Sequence, residues 1–270
     1  MGRPVLLILL LGVAVAAPAQ TLPDVVAKLP QVIPPPDGPR IVRTLAMGFG
    51  TGQYQNDTLP NNGQFVRFTQ DHEGHHSWMV DVGRTERFDI QGWGVGGSYT
   101  RVLNPLTSVT LGANTGTSDL FPDYRLGATV HRSILGNVVS GGLSYERAKS
   151  GFKSSGVHAG IVRWFPSWIV SLNGSLYRGS PGDTSSPSMH LGLTWYRWRR
   201  LYLGMGFGYG QVSYAVLGAQ TTVIDYDSSS FDVGASWWID DGSGINLSAD
   251  YGDTDFYWVR GVNLSYFRQF

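Results

Sequence analysis

No cysteine occurs in the 270 residues of this chain. Disulfides are therefore excluded, and an exported domain of this length must be held by burial and backbone pairing. Charge is also sparse: Asp, Glu, Lys and Arg make up 15% of the residues, with 20 basic side chains against 20 acidic ones. A chain with that balance has no field to attract a polyanion, so nucleic acid is not expected as a partner. After the first 15 residues no apolar run approaches the ~20 residues of a membrane-spanning helix. Glycine and aromatic residues are plentiful instead, with 36 Gly, 9 Trp, 13 Tyr and 12 Phe, while mean hydropathy is only −0.09. Transmembrane barrels combine these features, because each strand shows apolar residues to lipid and small or polar ones to the lumen.

The N-terminus carries one positive charge at Arg3, an apolar run from Val5 to Val15, and small residues at Ala17 and Ala19. This predicts a secretory signal peptide over residues 1–19, cleaved after Ala19; a retained anchor is the alternative, against which the short run argues. Loss of Arg3 leaves 19 basic against 20 acidic side chains, a net charge of −1. Residues 20–40 contain six prolines, which prevent a sheet interior and disfavour a continuous helix. They read as a Pro-rich periplasmic tail, with a small plug as the alternative. Residues 41–270 show no break in composition and read as one domain.

Within that domain the period is two. In "LYLGMGFGYG", Leu201, Leu203, Met205, Phe207 and Tyr209 form one face, and the other is nearly all glycine. "GINLSADYG" sets Ile245, Leu247, Ala249 and Tyr251 against Asn246, Ser248, Asp250 and Gly252. In "RGVNLSYFRQF", Val262, Leu264 and Tyr266 lie opposite Asn263, Ser265 and Gln269, and the terminal residue is Phe270. The segments 41–54, 64–71, 78–88, 92–102, 107–116, 123–134, 138–149, 155–165, 167–178, 187–198, 201–213, 229–239, 244–252 and 256–270 are candidate strands. The expected fold class is all-β, an antiparallel up-and-down transmembrane barrel of about 14 strands, closed by pairing the last strand with the first. Twelve strands is the alternative, because the stretch before Trp78 is poorly patterned. A soluble sandwich would also alternate.

Connections and aromatic rings favour the barrel. "LNPLT", "LGN", "PS", "RR" and "DDGS" are short links, and between them fall the longer "TSDLFPD", "GSPGDTSSP" and "YAVLGAQTTVIDYD". Short turns on one side and longer loops on the other are the outer-membrane arrangement, with the short set and both termini periplasmic. Trp164, Trp168, Trp195, Trp198, Trp237 and Trp238 cluster at the short turns and predict an aromatic girdle, while Trp93, Tyr124, Tyr177, Tyr209, Tyr251 and Tyr257 predict a second belt.

The segment "SWMVDVGRTERFDIQGWGVGGSYTRVLNPLTSVTLGANTGTSDLFPDYRLGATVHRSI", with the terminal Phe270, resembles the YaiO-type outer-membrane β-barrel domain. The "LFPDYRLGATVHRSI" stretch is the most distinctive part, and the similarity extends over about residues 41–270. The resemblance implies an exported outer-membrane barrel of a Gram-negative-type bacterium and carries no catalytic residues. Arg268 departs from it, standing where such barrels usually have an aromatic or apolar residue; at an interface its side chain can reach headgroups. Phe270 is expected at the periplasmic interface, as the signal read by the barrel assembly machinery.

His131, His158 and His190 fall on three strands of one direction, in phase with lumen-facing Gly, Ser and Thr, and Glu146, Asp232 and Asp250 share the lumen phase. A His, Ser and acid set could hydrolyse a lipid or acyl chain; the plainer reading is a polar interior that satisfies itself. "DHEGHH" at Asp71–His76 has metal-ligating residue types without the spacing of an ordered site and reads as a solvated turn. "GWGVGG" precedes a strand rather than a helix, so no phosphate loop is expected there. Arg163, Arg197, Arg199 and Arg200 read as contacts to anionic headgroups or lumen acids. No cofactor and no metal is expected. The partners expected are outer-membrane lipid and lipopolysaccharide, the assembly machinery, and a glycan or small polar solute. Passage or presentation of that solute is the leading expectation for function, a hydrolase acting on lipid or lipopolysaccharide is the alternative, and a secreted soluble sandwich is the third.

Overall fold

A computed structural model describes residues 41–55, 61–87, 89–180, 184–197, 200–216, 222–255 and 257–270, with backbone alone for 212–216 and 222–226. The expectations for the signal peptide, Ala19, the Pro-rich tail and Trp198 lie outside the described residues. Fourteen strands follow one another: β1 (Ile41–Tyr54), β2 (Asn61–His72), β3 (His76–Arg87), β4 (Ile90–Asn104), β5 (Thr107–Gly116), β6 (Tyr124–Ile134) and β7 (Asn137–Arg147) lead to β8 (Lys153–Trp164), β9 (Trp168–Ser180), β10 (Thr184–Arg197), β11 (Leu201–Val216), β12 (Thr222–Trp238), β13 (Ser243–Thr254) and β14 (Trp258–Gln269). Each pairs antiparallel with its neighbours in sequence, and β14 pairs with β1, so the sheet is a closed barrel. Closure rules out the soluble sandwich, and the count is fourteen rather than twelve. The poorly patterned stretch forms β2, where pairing turns Phe65 and Arg67 inward and Val66 and Phe68 outward. Apolar and polar side chains there occupy both faces, which hides the alternation.

The seam runs from Thr44 opposite Gln269 to Tyr54 opposite Val259. It continues to the terminal residue: the Arg43 amide donates to the Phe270 carbonyl at 3.1 Å, and the Phe270 amide donates to the Arg43 carbonyl at 2.9 Å. Val262, Leu264, Tyr266 and Arg268 point outward along this strand, while Asn263, Ser265, Phe267 and Gln269 point inward. No edge is left unpaired, as a sheet surrounded by lipid requires.

Turns at the end where β1 begins and β14 finishes are tight. Leu135 and Gly136 both have positive φ, at 49° and 80°, the backbone of a two-residue hairpin that follows the strand twist. At the other end two expected long loops are largely strand. β9 and β10 extend to Ser180 and from Thr184, and β11 and β12 pair out to Val216 opposite Thr222. Pro187 is tolerated inside β10 because the β10–β11 ladder opens only at Ser188, so its missing N–H interrupts no pairing.

The inner wall is not a packed core. Among the described residues Phe267 and Ser236 are the largest fully buried side chains, and a buried apolar cluster is formed by Tyr202, Trp238 and Phe267, with Ala46 and Tyr196 against it. At ~4.8 Å between strands and a tilt of ~40°, fourteen strands enclose a ring roughly 28 Å across between backbones. That is wider than the eight-stranded ring that side chains fill.

Candidate functional site

The lumen wall gathers the ionisable residues. Strand register turns His131, His158, His190, Glu146, Asp232 and Asp250 all inward, each in phase with Gly, Ser or Thr neighbours. They form two groups rather than one. On β5 to β8, Arg125 is ion-paired with Glu146 on the adjacent strand. Four to six residues further along β6 lies a separate set: Thr100 and Thr110 share a hydrogen bond of 2.9 Å, His131 lies 3.4 Å from the Thr110 hydroxyl, and His158 Nε2 lies 2.9 Å from the Thr129 hydroxyl.

On β10 to β14 the arrangement depends on glycine. His190 Nε2 reaches Asp232 Oδ1 at 3.1 Å although β11 lies between their strands. The residue beneath is Gly206, where a Cβ would stand 2.4 Å from Asp232 Oδ1 and 2.6 Å from His190 Nε2. Any side chain there would separate the pair. Asp232 in turn sits directly opposite Asp250 on β13, and the Asn263 amide donates to Asp250 at 3.5 Å. Two neighbouring carboxylates repel one another and attract a cation.

Hydrolytic chemistry needs a hydroxyl, a base and an orienting acid in one chain of contacts. Here the parts are divided. His158 has the Thr129 hydroxyl, but its buried Nδ1 has no hydrogen-bond partner. His190 has the acid, which it meets through Nε2.

A residue that sequence reasoning missed enters from a loop. Phe121, in the connection between β5 and β6, lays its ring on the inner wall over Gly92, Gly94 and Gly116; a Cβ on Gly94 would come within 2.4 Å of it. Both ends of the connection are held, by the Thr117 amide donating to the Trp93 carbonyl and the Asp123 amide to the Arg147 carbonyl, each at 2.8 Å. "GWGVGG" thus provides a bare bed for a ring. The readable signal was glycine at alternate positions on a single face.

The aromatic belts are partly rearranged. Trp168 faces Trp195 across β9 and β10, and both point outward, as does Trp237. Trp164 and Trp238 instead point inward, Trp164 opposite Ile169 and Trp238 against Phe267, so neither belongs to a lipid-facing girdle. Tyr177 also turns inward, its ring over Gly156, whereas Trp93, Tyr209 and Tyr251 are exposed outside. Phe270, 64% exposed, stands 6.5 Å from Phe68. The "DHEGHH" segment is less of a turn than expected: only Glu73 to His75 connect the strands, and His72 and His76 belong to β2 and β3. Among the described residues no group of three His, Asp or Glu side chains is placed to hold a metal.

Comparison with solved structures finds barrels. The CymD monoaromatic hydrocarbon channel is 11% identical with a TM-score of 0.50, the match covering 85% of this chain and 88% of that one. OmpF of Salmonella typhi, solved in complex with daunomycin, is 9% identical with a TM-score of 0.49, covering 87% and 98%. An anion-selective porin from Comamonas acidovorans is 8% identical with a TM-score of 0.48, covering 86% and 100%. At such identities the likeness concerns the fold alone. No curated protein matches in sequence. Residues 42–215 match the family described as the YaiO membrane beta barrel domain. With well over half its length matched, and with the closed barrel that the description names, the chain belongs to the YaiO membrane β-barrel family.

Proposed function

We propose that this outer-membrane β-barrel conducts a small polar solute, or presents a glycan, through a hydrated lumen whose β12–β13 wall favours cations over anions. Export follows cleavage after Ala19, residues 20–40 stay on the periplasmic side, and the assembly machinery reads the closing strand that ends in Phe270. Outer-membrane lipid and lipopolysaccharide surround the barrel. The observation carrying the reading is that the mid-wall polar groups keep access to solvent: the His190 and Asp232 side chains remain 24% and 29% exposed although they are paired. Solvent space beside these groups is what a conducting lumen needs, and the Asp232–Asp250 pair would lower the energy of a passing cation.

Refolded protein in planar bilayers tests this. Discrete conductance steps with cation selectivity are expected, and Asp232→Asn with Asp250→Asn brings the cation-to-anion permeability ratio toward one. Glu146→Gln removes a single negative charge at a different level of the wall and leaves Arg125 in place, so it lowers the ratio in the same direction and by less than the double variant. Absence of steps from protein that shifts its gel mobility on heating, as a closed barrel does, would refute conduction.

A further inference from the structure

A cavity outside the lumen lies on the outer face, at the end of the barrel where β1 begins. Its volume is about 280 Å³, and Ile41, His72, His75, His76, Arg101 and Val102 line it. Register explains how it forms: Ile41 faces His72, His72 faces His76, and His76 faces Arg101, one row across four strands. The row is in phase with exposed Val80, Val82 and Trp93, so it points out of the barrel. The turn is fixed over it, because the His75 amide donates to the His72 carbonyl at 2.9 Å and the Val102 amide donates to the His75 carbonyl at 2.8 Å.

The polar atoms of the cavity are mainly donors. Arg43 Nε donates to Gln70 Oε1 at 3.0 Å, so the atom of Gln70 that meets His72 Nε2 at 2.6 Å is the amide nitrogen. It must donate, which leaves the proton of the neutral imidazole on Nδ1. The His72 and His76 rings stack at 4.2 Å with 19° between planes, a face-to-face arrangement that does not converge on a metal. Asp71 turns inward, Glu73 is in the turn, and among the described residues no salt bridge engages Arg101.

The surroundings change in a fixed order up the strands. Above Arg101 and the imidazoles come rings: Tyr99 lies 5.9 Å from His76, and Trp78 lies 5.1 Å from Phe68. Above the rings come the exposed aliphatic side chains of Val80 and Val82. Donor groups, aromatic belt and aliphatic wall are the order in which a phospholipid places its phosphate, glycerol esters and acyl chains.

We propose that the cavity seats the phosphodiester headgroup of an anionic phospholipid of the periplasmic leaflet. Arg101 supplies the forked donor pair suited to phosphate oxygens, the imidazole N–H groups of His72, His75 and His76 complete the cradle, and the acyl chains lie along Phe68, Trp78 and Val80. The Arg101 charge and the N–H dipoles directed into the cavity all favour an anion between them. The site is independent of conduction, so a barrel without a pore would still hold its lipid.

Native mass spectrometry of the full chain, refolded in non-ionic detergent, gives the test. One phosphatidylglycerol is expected to remain per barrel, retained about tenfold better than phosphatidylcholine, and Arg101→Gln with His76→Gln should reduce retention about tenfold. Arg132→Gln, outward on β6 and away from the cavity, should leave it unchanged. Heat-shifted gel mobility checks that each variant folds, and the comparison of the two lipids on the unaltered chain needs no variant. Equal retention of the two lipids, or of phosphatidylglycerol by the double variant, would overturn the site. Displacement of the lipid by millimolar inorganic phosphate would show a free-anion site and overturn the lipid assignment.

Discussion

Two phenylalanines lie on glycine at opposite ends of the inner wall, and they differ in what carries them. Phe267 belongs to β14, its backbone paired with Ala46 on one side and Gly244 on the other, and it is 0% exposed. Its ring covers Gly244, where a Cβ would come within 2.4 Å, and meets Trp238 edge-on at 4.8 Å. Phe121 covers three glycines from a loop and stays partly exposed. The same chemical device therefore does two things. The backbone that carries the Phe267 ring is fixed in the seam that closes the barrel, whereas the loop that carries Phe121 can move while every ladder remains intact. The first contributes to closure, and the second lays a ring on the inner wall near the loop-bearing mouth.

The largest effect is expected from Phe267→Ala. Removing a fully buried ring from a cluster with few other members costs about 3–5 kcal/mol, and the loss should appear as a much lower temperature for the gel-mobility shift. Phe121→Ala should cost less than about 2 kcal/mol, because part of the ring is already in water. A shift for Phe267→Ala no larger than for Phe121→Ala would contradict the distinction.

Gly94→Leu sharpens it further. A side chain at Gly94 meets the Phe121 ring, so the loop must move off the wall while the β4 ladders to β3 and β5 persist. Conductance per step should change, with less than about 1.5 kcal/mol lost in stability. Gly112→Ala is the control: it lies inward on the next strand, and its Cβ would meet nothing closer than a backbone oxygen at 3.7 Å. Unaltered conductance in Gly94→Leu would mean that Phe121 does not limit the pore.

These rings show where the sequence was legible. Alternation located the strands, and phase alone turned His131, His158, His190, Glu146, Asp232 and Asp250 inward, since parity is a property of a single strand. Parity also held information that proximity to a turn obscured. Trp237 and Trp238 are adjacent, so only one of them can face lipid, and Trp164 shares the phase of lumen-facing His158. Contacts across strands were not legible. His190 meets Asp232 only because register brings both over Gly206, and no pattern within β10 or β12 contains that register. Phe121 was hidden for a related reason: a loop's ring finds its bed through the closed geometry of the barrel.

The smallest effect lies in the turn beneath Phe267. Asp240, between β12 and β13, accepts from the Ser243 hydroxyl at 2.7 Å, the Gly242 amide at 2.8 Å and the Ser243 amide at 2.6 Å. The Ser243 hydroxyl bond first, then the Gly242 amide, hold its carboxyl below the ordinary aspartate range, against a smaller opposing effect of burial. Gly242, two residues on in the same turn, accepts from the Gln269 amide, so this turn is tied to the closing strand two residues from Phe267. A carboxyl with a lowered pKa stabilises the fold above its unfolded value of ~3.9, and that contribution is lost as pH falls through the lower folded value. Asp240→Asn should therefore flatten the acid limb of the stability curve, so that the two proteins, distinct at neutral pH, converge below about pH 4. In the Phe121 connection the charged ties are the exposed pairs of Asp123 with Arg147 at 3.9 Å and with Lys149 at 3.6 Å, which contribute little, and Phe121→Ala, which leaves them in place, should run parallel to the unaltered protein over the same range. Parallel curves for Asp240→Asn would show that the turn contributes nothing pH-dependent to the seam, leaving Phe267 to secure that end by packing alone.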